Sequence, residues 1–108
     1  MKTSELSGAQ LDYWVAKVEG FMRPRIEGGV CLVDEPDGQP MNPSTDWAHG
    51  GPIIERQKIM VTWNADHWIS GANDAVDNPK SRIWSGRTAL IAAMRAHVAS
   101  KFGDEVPD

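Results

Sequence analysis

Apolar residues recur three and four positions apart from Leu11 to Val18, with Leu11, Trp14, Val15 and Val18 on one stripe of a helix. Ser7 and Gln10 stand at capping-box spacing and Leu6 with Leu11 at hydrophobic-staple spacing, so this helix is predicted to begin near Gly8. Gly20 supplies its left-handed stop. Beyond Phe21-Met22-Arg23-Pro24, where proline discourages further helix, Val30-Cys31-Leu32-Val33 predicts a short buried strand after the Gly28-Gly29 pair. The segment from Asp34 to Pro43 holds the turn signals Glu35-Pro36-Asp37-Gly38 and Gln39-Pro40. It is expected to be an exposed, mobile loop (34–43) within one domain spanning 1–108.

A second helix is predicted after Ser44 or Thr45, either of which can cap it, with Asp46 in its first turn and Trp47, Gly50, Gly51 and Ile54 along one face. Pro52 lies past the first turn, where it removes a backbone hydrogen bond, so a kink or a break is expected there, while the glycines permit close packing. Ile59 to Trp63 and Trp68 to Ser70 flank Asn64-Ala65-Asp66-His67 as a hairpin, and a third short strand holds Ile83 and Trp84 after an Asn-, Asp- and Gly-rich connection. The last helix is predicted from Ala89 to Phe102, capped by Thr88 and ended by Gly103, with Leu90, Ile91, Met94, Val98 and Phe102 on one side. An acidic tail, 104–108, is expected to fray. Together these elements predict an α+β fold, a small sandwich of two or three helices packed on a short, mainly antiparallel sheet.

Composition narrows the function classes. With 108 residues, 41% hydrophobic and 24% charged, the chain has a globular balance and enough length for one core. Its net charge of -4 disfavours a surface built to hold nucleic acid, because such binding rests on neutralised phosphates. Cys31 is the single cysteine, so no internal disulfide or thiolate zinc site forms, and a reducing compartment fits. Met1 to Glu5 leads into a polar helix start with no signal-peptide apolar stretch, so neither export nor a membrane anchor is expected. Five tryptophans in so short a chain are an excess, and Trp serves both as core filler and as interface anchor.

Three stretches carry a resemblance. They are Met1 to Leu6, Asn42-Pro43-Ser44-Thr45-Asp46-Trp47 running into Gly50 to Arg56, and Leu90 to Arg95 with Val98 to Val106. Together they resemble the NinX-like family of small tailed-phage proteins, over nearly the whole chain. The middle part is also similar to a wider group of phage domains described as α-β-α sandwiches. The resemblance implies a phage origin and that type of fold. It transfers no catalytic or ligand residue, because the family has no assigned chemistry. The chain departs from the family pattern between Trp68 and Thr88, where its connection is longer, and the hairpin register stays open there.

Two polar segments stand out as binding candidates. Asn42, Ser44, Thr45, Asp46 and Trp47 make a distinctive cluster, although the plainer reading is a capped helix start with Trp47 buried. Ser85, Gly86, Arg87 and Thr88 precede the last helix, where free N–H groups, the positive helix end and Arg87 can hold a phosphate or carboxylate. The basic run Lys80, Arg82, Arg87, Arg95 and Lys101 surrounds this second segment, and the plainer reading there is dipole balance and pairing with acidic loops.

Other chemistry is weaker. Ser44, Asp46 and His49 have the residue types of a hydrolytic triad but share about one helical turn, with no nucleophile elbow. Asp66, His67, Asp74 and Asp77 lack any metal-ligand spacing, and Cys31 reads as a core residue. No metal, cofactor or catalytic set is therefore assigned. The function that fits best is a non-enzymatic phage accessory protein that binds a host or phage macromolecule in the bacterial cytoplasm, with homodimerisation left open. The alternatives are nucleic-acid or anion binding through 78–103, and a small enzyme in which Asp46, His49, Asp66, His67 and Arg87 converge.

Overall fold

The computed structural model describes residues 1–34, 38–71 and 82–107. Three helices and two antiparallel three-stranded sheets are formed, an α+β fold. Helix α1 spans Gly8–Glu19, and the strands β1 (Arg25–Glu27), β2 (Val30–Val33) and β3 (Gln39–Pro40) follow. Helix α2 covers Trp47–Gln57, β4 (Met60–Asn64) and β5 (His67–Gly71) form a hairpin, β6 is Trp84–Gly86, and α3 is Ala89–Phe102. The strand orders are β1-β2-β3 and β4-β5-β6, so the single sheet expected from the sequence is two small ones.

Helix α1 begins and ends where its sequence grammar puts it. Gly20 takes the left-handed conformation at φ 87°, and Phe21 N–H reaches back to the Ala16 carbonyl at 3.0 Å. The start differs in one respect: Ser7 makes no side-chain cap bond, and the fully buried Leu6 and Leu11 hold the entry instead. Strand β2 occupies the predicted residues. The segment expected to be a mobile loop contains β3, whose Gln39 and Pro40 pair with Val33 and Leu32, and residues 35–37 of that segment lie outside the described residues.

Helix α3 is the centre of the packing. Every residue from Ala89 to Met94 is buried, as are His97 and Val98, so the single apolar side expected from the sequence extends around most of the helix. It lies against α1, α2 and the strands β4, β5 and β6. Two glycines let neighbours approach its first turns. At Gly50 of α2 a methyl group would stand 2.5 Å from the Pro43 carbonyl oxygen and 2.6 Å from Leu90 Cδ2; at Gly86 of β6 it would stand 2.6 Å from the Ala92 nitrogen.

Helix α2 runs unbroken through Pro52, correcting the expected break, although proline leaves the Ala48 carbonyl without its usual helical donor. Its cap is Asp46, one residue later than expected, and the close approach at Gly50 sets its rotation. Gly50 and Ile53 face inward, and Trp47 is turned outward. In the β4–β5 hairpin Trp63 pairs with Trp68 and Asn64 with His67, leaving the two-residue turn Ala65-Asp66. The connection 72–81 lies outside the described residues.

The C-terminal segment is tied down, against the expectation of fraying. Thr3 N–H donates to the Asp104 carbonyl at 2.8 Å, Thr3 Oγ1 to the Gly103 carbonyl at 2.7 Å, and Val106 N–H to the Met1 carbonyl at 3.0 Å. Val106 is buried in the core. Two backbone ends that would otherwise lose their order are fixed by pairing with each other.

Close packing at Gly50 is measurable. Gly50→Ala is expected to lower stability by about 1–3 kcal/mol through overpacking against backbone and Leu90. Gly51→Ala, where the nearest atom lies 3.7 Å away, raises stability by about 0.5–1 kcal/mol through helix propensity. Urea unfolding of the two variants should give midpoints shifted in opposite directions, and a shared direction contradicts this packing.

Candidate functional site

One buried carboxylate holds the turn before α2. Asp12, 3% exposed on the inward side of α1, accepts a hydrogen bond from Ser44 N–H at 2.8 Å. Asn42 N–H donates to His49 Nδ1 at 3.1 Å, and Asp46 Oδ1 accepts from Ala48 N–H at 2.9 Å. Burial pushes the Asp12 carboxyl above its ordinary value, against the opposing pull of the Ser44 hydrogen bonding and the nearby His49. The Asp46 side chain and the backbone N–H groups of Asn42 and Ser44 thus hold the turn, while Ser44 Oγ is buried without a hydrogen-bond partner among the described residues. Trp47 departs from the plainer reading of this segment: it is 58% exposed.

The same geometry disposes of the Ser44, Asp46 and His49 triad. Asp46 is a helix cap, His49 Nδ1 is occupied by a backbone donor, and Ser44 is buried. The carboxylate that does meet Ser44 is Asp12, whose signal in the sequence is an acid spaced three and four residues from the buried Val15 and Ala16. Cys31 is fully buried, and burial together with the Asp12 charge pushes its thiol up to about 11, which makes it a poor nucleophile.

At the start of α3, Thr88 Oγ1 accepts from Ile91 N–H at 3.1 Å, so this helix end satisfies one of its own donors. Gly86 is consumed by packing, and the Ser85 carbonyl accepts from Arg95 at 2.8 Å. Arg95 also donates to the Leu6 carbonyl at 2.9 Å, and its burial beside Arg87 holds it below the ordinary guanidinium value. Arg82 pairs with Asp104 at 2.5 Å and lies 5.0 Å from the Trp84 ring, while the Lys101 ammonium sits 5.7 Å from the Phe102 ring. Arg87 is the one described cation of the segment without a partner; Lys80 lies outside the described residues. Gly50, wedged between Pro43 and Leu90, brings the two sequence-predicted segments into one region.

A third set of residues escaped sequence reasoning. Arg56 of α2 donates through one nitrogen to both oxygens of Glu19, at 2.6 and 2.7 Å, and His97 Nε2 of α3 lies 2.9 Å from Glu19 Oε2. With Glu19 mostly shielded and His97 buried, this cluster joins the C-terminal end of α1 to both other helices. A cavity of about 390 Å³ has His97, Gln57, Trp84 and Ser100 in its wall, and another of about 450 Å³ has Glu19, Arg56 and His49. Asp66 and His67 pair with each other at 2.6 Å in the hairpin turn, which lowers the Asp66 carboxyl. Asp74 and Asp77 lie outside the described residues. Among the described residues, no three His, Cys, Asp or Glu side chains gather as metal ligands do, and no helix is long and apolar enough to cross a membrane.

Residues 2–101 match the family described as Bacteriophage P22, NinX. The chain belongs to the NinX family. No curated protein matches it. In this NinX-family protein, Trp47, Trp63 and Arg87 are exposed, and the two cavities lie beside the Glu19–His97 cluster.

The raised Asp12 carboxyl gives a pH test. A folded-state value above the unfolded 3.8 means that the folded state binds more protons, so Asp12 lowers stability as pH rises from about 3.8 through its folded value. Asp12→Asn keeps an acceptor for Ser44 N–H and cannot ionise. The stability of Asp12→Asn relative to the parent is therefore expected to increase between about pH 3.5 and about pH 7, read from urea midpoints. A difference that is constant or falls with pH contradicts this assignment.

Proposed function

We propose that this NinX-family protein acts by binding another protein, of phage or host origin, in the cytoplasm of the infected bacterium. The observation that carries the proposal is the exposure of Trp47 and Trp63, at 58% and 54%. An indole left in water forgoes a large burial gain, and Trp is among the residues most enriched where partners bind tightly.

The elements that carry the two side chains both pack against α3. Trp47 opens the helix whose Gly50 touches Leu90, in the first turn of α3. Trp63 packs edge to face on Trp68 at 5.5 Å, and Trp68 lies opposite Gly86, which touches Ile91 and Ala92. Each ring is mounted on a regular element, Trp47 on α2 and Trp63 on β4, and both elements pack against α3. Rigid aromatic side chains on ordered backbone supply contact area at little entropic cost. Thr45, Ser85, Arg87 and Thr88 are exposed as well, and polar residues of this kind make the rim of an interface whose centre is aromatic.

A second reading rests on Arg87, an unpaired cation beside the cap of α3 and near Arg95. It assigns this end to an anion or nucleic acid. One free arginine supports a weak, salt-dependent contact, whereas an aromatic centre supports one that depends little on salt.

The two readings separate in a binding experiment. Once a partner has been recovered from infected cells and purified, Trp63→Ala and Trp47→Ala are each expected to weaken binding at least about 30-fold, with unchanged thermal midpoints. Wild-type affinity in both variants refutes a Trp-centred interface. Binding that collapses with salt and needs only Arg87 establishes the second reading in its place.

A further inference from the structure

A cavity lies between α2 and the β1–β2–β3 sheet, with Ala48, Pro52 and Ile53 on the helix side and Val33, Gln39 and Pro40 on the sheet side. The cavity, about 450 Å³, has an apolar wall that includes Phe21, Met41, Pro52 and Ile53. Its volume and apolar character fall in the range of small-molecule sites, whose few polar groups set which ligand fits.

Two of its polar groups are donors with capacity to spare. His49 Nδ1 accepts from Asn42 N–H, so the neutral ring carries its proton on Nε2, which has no partner among the described residues. Arg56 uses a single terminal nitrogen on Glu19, leaving its Nε and its other terminal nitrogen unused. The Glu19 oxygens in the same wall are already engaged by Arg56 and His97, and Gln39 adds an amide that both donates and accepts. The free donors of His49 and Arg56 suit an acceptor, and charge-assisted hydrogen bonds favour an ionised one.

We infer that the cavity between α2 and the β1–β2–β3 sheet binds a small monocarboxylate with an apolar body, its carboxylate on Arg56 and His49 and its chain or ring against Phe21, Met41 and Ile53. Glu19 is held between Arg56 and the buried His97, and the Arg56 side chain is half exposed at the cavity mouth. The cavity lining includes neither Trp47 nor Trp63, and failure of this site leaves the protein-binding proposal standing.

The test is a methyl NMR titration of the isotope-labelled full chain with phenylacetate, indole-3-acetate and octanoate, each paired with its methyl ester. At least one acid should shift the Met41 and Ile53 methyl signals saturably at millimolar concentration, and its ester should bind at least about tenfold more weakly. Arg56→Met and His49→Phe should each weaken the acid several-fold and leave the ester unchanged. Because the acid and ester comparison uses the unaltered protein, it stands even where a variant folds poorly. Absence of a saturable shift with all three acids overturns the inference, and so does an ester that binds as tightly as its acid.

Discussion

Burial of α3 on nearly all sides is the constraint on which the rest of the structure depends. A helix with a single apolar stripe needs one neighbour, whereas α3 exposes so little of Ala89 to Met94 that it must be enclosed by α1, α2 and the second sheet together. Alanines at 89, 92 and 93 keep its girth small, and Gly50 and Gly86 let backbone come up against Leu90, Ile91 and Ala92. Neighbours seated this closely cannot slide without collision, so α3 sets the rotation of α2 and the position of β6. The outward direction of Trp47 follows from that rotation.

Charge completes what the apolar contacts begin. Glu19 gathers Arg56 and His97 from two other helices, and Asp12 takes the Ser44 N–H from the turn before α2. Both carboxylates lie on α1 and both restrain α2, the helix with the fewest apolar contacts of its own. A partly shielded ion pair contributes modestly to net stability, but removing one member leaves a charge without compensation, so such a group fixes orientation more than it adds free energy. Helix α2 is positioned by these polar contacts and by Gly50. The open side that results is the cavity.

Local grammar made the elements legible and left their mutual arrangement hidden. The glycine stop at Gly20, the Thr88 cap and the hairpin around Asn64 to His67 are set by residues within a turn of one another, and each stands where the sequence puts it. Where the sequence misleads, a distant partner decides. Pro52 fails to break α2 because that helix is held at both ends, by the Asp46 cap and by the Arg56 contact with Glu19. The tail residues 104–106 are ordered by Met1 and Thr3, a hundred positions away in the chain. Of the candidate site residues, Asp46 caps α2, Asn42 and Ser44 hold the turn through their backbone N–H groups, and Thr45, Trp47 and Arg87 are on the surface. The Glu19 cluster has no short-range signature, since it joins residues more than thirty positions apart, and the Asp12 contact leaves in the sequence only an acid on a buried stripe.

Native-state hydrogen exchange over a denaturant series measures the central role of α3 directly. With α3 enclosed by α1, α2 and the second sheet, the amides from Met94 to Val98 should exchange only through global unfolding, with an opening free energy and denaturant slope equal to those of urea unfolding. The amides of α2 should open locally at lower free energy. Exchange of Met94 to Val98 through a local opening, while the β4–β5 hairpin stays protected, contradicts a fold organised around this helix.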